Sequence, residues 1–273
     1  AILLEKLMEY EAVHEIKTWK SLKHRLHSDK RIYAFLHYKL PNEPLIFVEV
    51  AFTKGMAPNI HELLDESKKP IDPKEADTAI FYSITSTQKG LKGISFGNFL
   101  IKRVVNELSK EFVNLKFYAT LSPIPYFRKW LENYLLNNDD VLTLKEGDKI
   151  KKITKTFSAN EGLLEILNSN WYQFKGKTAA IKIPLLRLCS QYLVNERKGG
   201  RAFDPVAHFH LSNGAKVQHI NWMADLSDKG LRQSAGMMVN YHYLLNKIVS
   251  NHEDYFSEGK VFASREVRNL LVK

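Results

Sequence analysis

The chain has 273 residues, 44% of them hydrophobic, and carries a formal net charge of +10 from 40 Lys+Arg against 30 Asp+Glu. That length supports one large domain or two small ones with a real core, and the longest apolar run, "PLIFVEVAF", is broken by Glu49 well short of the roughly 20 residues of a membrane span. A single cysteine, Cys189, excludes an internal disulfide framework and a CxxC zinc site, and fits a reducing compartment.

In chain order, residues 2–28 read as helical, with Ile2, Leu3, Leu7, Val13, Ile16 and Trp19 at three- and four-residue steps. "RIYAFLHYKL" and "EPLIFVEVAF" read as a hairpin turning at "PNE". "APNIHELLDE" is a loop entering a short helix, and "KKPIDPKEAD" a surface loop. "TAIFYSIT" is a compact buried strand. After "STQKGLKGIS" comes an amphipathic helix with Phe96, Leu100, Val104, Leu108 and Phe112 on one face, broadened by Ile101 and Val105. "NLKFYATL" is another strand, and "SPIPYFRKWLENYLL" starts a helix after Ser122 and two prolines. Residues 137–200 form a helical insertion, in which Cys189 sits among leucines as a small core residue. A hairpin at 207–222, a helix in "SAGMMVNYHYLLNKIV" and a last short helix near Ser264 complete the chain. The fold class is α/β, or α+β, with a mixed sheet.

Positive charge attracts polyanions. The densest basic runs, "KTWKSLKHRLHSDKR" and "EGDKIKKITK", lack the basic and aromatic interleaving of a nucleic-acid platform and read as solvated surface. Neither nucleic acid nor membrane is expected as a partner.

"TSTQKGLKG" joins the buried strand to the amphipathic helix. Glycines there allow close backbone approach, and the unpaired N–H groups of a helix's first turn make an anion site suited to a pyrophosphate. Gln88, Lys89, Gly90, Lys92 and Gly93 would line it. The loop is neither a Walker motif nor a G-x-G-x-x-G fingerprint. It resembles the pyrophosphate loop of the acetyl-CoA-dependent acyltransferases, whose Q/R-x-x-G-x-G/A spacing it does not match.

Asn213-Gly214 is a strong two-residue hairpin signal. In that register His208, His210, Val217 and His219 share one face, and Phe209, Leu211 and Ile220 the other, core-facing one. Three readings stay open for the histidines: a metal trio, structural hydrogen bonding, or acid–base work by one of them.

"AIFYSITSTQKGLKGISFGNFLIKRVVNELSKEF", "LSPIPYFRKWL", "PVAHFHLSNGAKVQHINWMADLSDKG" and "MVNYHY" together resemble the malonyl-CoA decarboxylases, collinearly from about Glu11 to the last helix. The resemblance implies an acetyltransferase-like (GNAT-like) catalytic domain with a splayed mixed sheet flanked by helices, at residues 29–273, preceded at 1–28 by the end of a helical region. It implies conversion of malonyl-CoA to acetyl-CoA and carbon dioxide without cofactor or metal. It also implies a homo-oligomer assembled through an upstream helical domain. The start at Ala-Ile without Met reads as a fragment, with cytoplasm, mitochondrial matrix or peroxisome as the candidate compartments. His210 matches the family's acid, and Thr85 its functional serine, with Ser83 and Ser86 as neighbouring hydroxyls. Asn59 and Ile60 match a segment lining the acyl-CoA pocket, and Asn240, Tyr241 and Tyr243 are further candidates for substrate binding. The rival enzyme is an acetyl-CoA-dependent N-acyltransferase; the non-enzymatic rival is a basic binding module.

Overall fold

The computed structural model describes residues 2–88, 90 and 97–272, without the side chains of 97–99. Two helices come first, α1 (Ile2–Tyr10) and α2 (Trp19–Arg25). The hairpin β1 (Lys30–His37) and β2 (Leu40–Thr53) follows, then α3 (Ile60–Leu64), β3 (Thr78–Ser86) and α4 (Gly97–Glu111). β4 (Phe117–Thr120) and β5 (Ser122–Pro123) lead into four helices, α5 (Phe127–Asn137), α6 (Leu144–Thr154), α7 (Ala159–Leu167) and α8 (Lys175–Val194). A small ribbon of β6 (Arg197–Lys198) and β7 (Arg201–Ala202) precedes α9 (Pro205–Ser212). β8 (Lys216–Asn221), α10 (Asp228–Ser234), β9 (Met238–His242), α11 (Ile248–Glu258) and α12 (Arg265–Asn269) end the chain.

The main sheet runs β1-β2-β3-β4-β9-β5, with β8 also paired to β9. β3 and β4 are parallel and every other pair is antiparallel. A parallel pair needs a crossover, which α4 supplies by burying Leu100, Ile101, Val104, Val105, Leu108 and Phe112. These are the residues of the predicted apolar stripe; Phe96 lies outside the described residues. On one face of the sheet the large core holds Val48, Val50, Phe81, Tyr241 and Tyr243. On the other, Ala51, Ile80, Tyr82 and Leu121 pack with Ile60, while Phe47 packs with Leu7, Ile16 and Leu22 from the N-terminal segment. Cys189 is a fully buried core residue, as read from its neighbours.

Several boundaries differ from the sequence reading. Residues 11–18 interrupt the predicted first helix, because the Glu11 carboxylate takes the N–H groups of Val13 (2.9 Å) and His14 (2.7 Å). The first hairpin turns at 38–39, and "PNE" lies inside β2, opposite an irregularity at Leu36 and His37. α5 begins at Phe127, after Ser122 and the two prolines as read, but Ser122 and Pro123 themselves form a strand.

The largest correction concerns 207–222. The first half is helical: Asp204 accepts from the N–H groups of Val206 and Ala207, and Pro205 occupies the first helical turn. Asn213-Gly214 therefore ends a helix, with Gly214 at φ +79, instead of turning a hairpin. "SAGMMVNYHYLLNKIV" is likewise not one helix: its centre, Met238–His242, is strand. Ala235 and Gly236 at positive φ end α10, and β9 follows.

Candidate active site

β3 and β4 pair only as far as Phe81 and Thr120, and Leu121 N–H to the Phe81 carbonyl (3.0 Å) is the last bond between them. Beyond it β5 turns to β9 while β3 continues to Ser86 against β2 alone. The sheet is parted there. Tyr82 has no partner on either side, because β2 pairs Glu49 with Ser83 and Val50 with Phe81. Such a bulge turns successive side chains onto one face. Ser83 and Thr85 consequently face the N-terminal segment, opposite Glu49 and Phe47.

His210 lies on the other face, at the β5 lip. Its Nε2 meets Ser122 Oγ (3.1 Å) and its Nδ1 meets the Tyr243 hydroxyl (2.7 Å). Ser122 spends its hydrogen on Thr120 Oγ1 (2.8 Å), which also accepts the Tyr241 N–H (3.1 Å). Ser122 Oγ therefore accepts from Nε2–H, and Tyr243 donates to Nδ1. The Tyr241 ring stacks on the imidazole at 4.6 Å. Burial pushes the His210 pKa down to about 3 and the Tyr243 phenol well up, so the resting imidazole is neutral with its hydrogen on Nε2.

At the β3 lip, Glu11 is 5% exposed. Besides the two backbone N–H groups, it takes hydrogen bonds from Ser83 Oγ (2.7 Å) and Thr85 Oγ1 (3.0 Å). Burial alone would raise its pKa; the His14 N–H, the Ser83 hydroxyl and the other donors outweigh that and hold it below the ordinary carboxylate value. Fully buried Glu49 accepts from Arg25 (2.7 Å) and the Tyr82 hydroxyl (2.9 Å). Its pKa is raised to about 7, chiefly by burial and against the pull of Arg25.

The predicted site residues are thus partly brought together. His210 joins Tyr243 and Tyr241, and Thr85 joins Ser83. Both tyrosines belong to the β9 segment, where alternation aims them at one face, and not to a helix. Thr85 does not orient the imidazole; Tyr243 and Ser122 do. Asn240 ties β9 to the Thr120 and Ala57 carbonyls (2.8 and 3.2 Å). Asn59 caps α3 through the Glu62 N–H (2.8 Å), and the Ile60 side chain is buried. Ser86 is exposed, Gln88 turns back to Thr87 (3.2 Å), and Gly90 is exposed. Lys89, Lys92 and Gly93 lie outside the described residues.

The three histidines do not converge. His208 binds the Tyr255 hydroxyl (2.8 Å) and His219 binds Glu266 (2.9 Å). Among the described residues no group of three or more His, Cys, Asp or Glu is placed to hold a metal. A cavity of about 290 Å³ lies elsewhere, between Lys30, Phe52, Lys54 and Leu63, and none of the predicted site residues lines it. Sequence reasoning missed Glu11, Thr120 and Ser122, and used Glu49 only to exclude a membrane span. A carboxylate inside an apolar strand was the available signal for a buried charge cluster.

Fold and site define an α/β domain whose mixed sheet opens beside a buried imidazole on one face and a hydroxyl–carboxylate cluster on the other. The family model of the malonyl-CoA decarboxylase C-terminal domain matches residues 1–273, and the chain belongs to that family. The resemblance read in the sequence is borne out. The chain is 41% identical over 278 residues to the mitochondrial malonyl-CoA decarboxylase of Anser anser anser, covering 98% of this chain and 55% of that protein. To the mitochondrial enzyme of Mus musculus it is 42% identical over 282 residues, covering 99% and 57%. Among solved structures, malonyl-CoA decarboxylase from Agrobacterium vitis superposes with a TM-score of 0.90 at 41% identity, over 100% of this chain and 65% of that one. The Rhodopseudomonas palustris protein gives 0.87 at 43%, over 98% and 62%. The chain thus spans little more than half the length of these curated relatives.

Proposed function

We propose that this chain converts malonyl-CoA to acetyl-CoA and carbon dioxide. The observation that carries the reading is the buried imidazole of His210, held between Tyr243 and Ser122 where the sheet parts. Breaking the bond from C2 to the carboxylate releases carbon dioxide and leaves its electron pair as a thioester enolate. Tyr82 has no register partner on either neighbouring strand, and its N–H is the backbone donor we assign to the enolate oxygen. An enolate is a stronger base than either imidazole or phenolate. His210 can therefore give its Nε2 proton to C2 while Tyr243 passes its own to Nδ1, and solvent restores Tyr243. One proton is consumed per turnover, as the reaction requires.

The CoA pyrophosphate is assigned to the glycine loop that leads into α4, on the chemistry of helix N-termini. No organic cofactor or metal enters the mechanism. Among the described residues no helix is long and apolar enough to cross a membrane. The compartment belongs to the same reading, the mitochondrion being the one in the names of the Anser anser anser and Mus musculus relatives. Homo-oligomeric assembly belongs to the same reading, on the family resemblance alone.

The test is turnover of malonyl-CoA with no acceptor present: carbon dioxide and acetyl-CoA should form in equal amounts. Intact malonyl-CoA, with CoA released from acetyl-CoA only on adding an amine, would transfer the site to the acyltransferase reading.

A further inference from the structure

The N-terminal segment holds the one carboxylate bonded to the Thr85 hydroxyl among the described residues. We propose that Glu11 is a positioning residue that fixes the polarity of that hydroxyl, so that the Thr85 oxygen can only accept hydrogen bonds from what enters the opening. This role rests on the decarboxylase reading above.

Stereochemistry leaves little choice of hydrogen placement. The Val13 and His14 N–H groups are fixed donors on Oε1, and Ser83 and Thr85 share Oε2 at 2.7 and 3.0 Å. An ionised carboxylate is acceptor-only, so both hydroxyl hydrogens point at it. The 3.2 Å contact between Ser83 Oγ and Thr85 Oγ1 is then left without a hydrogen. The segment itself is tied down, since Lys229 binds the Ala12 and Val13 carbonyls (2.7 and 3.1 Å) and Arg25 binds that of His14 (2.7 Å).

The consequence concerns the substrate's charge. A malonyl carboxylate is also acceptor-only, so Thr85 cannot hold it by donation, and the Glu11 charge stands directly behind the hydroxyl. Carbon dioxide is neutral and escapes that repulsion. Glu11 thus favours the state in which charge has moved from the carboxylate to the thioester oxygen.

Glu11→Gln tests this with almost no change of shape. The two backbone N–H groups require the amide oxygen, which forces the amide NH2 onto Ser83 and Thr85 and reverses their hydroxyls. In the full chain we expect kcat for malonyl-CoA to fall about 10- to 100-fold, with KM unchanged or lower, a single cooperative melting transition and acetyl-CoA affinity kept. In a Thr85→Ala background the same change should have no further effect on kcat. An equal loss in both backgrounds overturns the positioning role, as does a wild-type kcat in Glu11→Gln. A wild type that leaves malonyl-CoA intact overturns the decarboxylase reading and this role with it. Should Glu11→Gln fail to fold, carbon-13 NMR titration of Glu11 in the wild type and in Thr85→Val decides. The Glu11 pKa should be higher in the variant, and identical titrations overturn the proposal.

Discussion

His210 and Thr85 each sit in a network whose members come from distant parts of the chain. His210 is held by Ser122, 88 positions away, and by Tyr243, 33 away; Thr85 is held by Glu11 at a separation of 74. Such partners are chosen by tertiary packing, which local pattern does not encode. The neutral state of His210 was equally hidden, since it follows from burial and not from its neighbours in sequence. Three expectations belong at this scale. His210→Asn should lower kcat by about 100-fold or more, in the range of general acid catalysis, with acetyl-CoA binding kept. Tyr243→Phe keeps the ring but removes the donor to Nδ1, and should lower kcat by about 10-fold or more. Steady-state kinetics and calorimetry check both; a Tyr243→Phe enzyme at wild-type kcat would remove the relay. Thr85→Ser keeps the oxygen bonded to Glu11 and should retain activity, whereas Thr85→Ala should slow turnover. If neither variant changes kcat, the hydroxyl role passes to Ser83.

The stripe that predicts α4 holds along its whole length, whereas the one over residues 2–28 is cut at Glu11, and α9 is set by its ends. α4 has a continuous apolar face and appeared where expected. α9 has only eight residues and no strong stripe, so its identity rests on Asp204, Pro205 and Gly214 at its ends. Asn-Gly serves a type I′ turn or a helix stop because both need positive φ. Two glycines separate strain from collision. Gly55 (φ +78) has open space where a Cβ would go, whereas a Cβ on Gly214 (φ +79) would drive into the Ile248 carbonyl oxygen. Gly55→Ala should therefore cost about 1–2 kcal/mol from the left-handed backbone alone. Gly214→Ala should cost more, and should shift α11 relative to the end of α9. Chemical denaturation of both variants measures this, and equal losses would mean that the collision relaxes freely.

At the scale of the whole molecule, the body buries ionisable groups on both sides of the sheet, and their opposed protonation sets a pH optimum for stability. Burial lowers His210 to about 3, and lowers His14 and His242 to about 4, from an ordinary 6.5. Below pH 6.5 the unfolded chain takes up protons at these three that the folded one refuses, and His24 and His208, also lowered by burial, act in the same direction; this stabilisation is complete above 6.5 and lost as pH falls towards 4. Glu49, raised to about 7, and Asp204, raised to about 6, act oppositely. Burial is the first cause in each. The folded protein keeps their protons when the unfolded chain has released them, so their contribution is full below their ordinary values and lost as pH rises through 6 and 7. Between about pH 4.5 and 6 the three histidines outweigh the two carboxyls, and each net proton changes stability by about 1.4 kcal/mol per pH unit. Above 6.5 only the loss at Glu49 remains. The melting temperature should therefore peak near pH 6–7, fall steeply towards 4.5 and fall gently towards 8. His242→Asn should flatten the acid side and Glu49→Gln the alkaline side. A melting temperature level from pH 6.5 to 4.5 in the wild type would contradict the assignment of neutral histidines to the interior, and with it the neutral imidazole on which the proton relay depends.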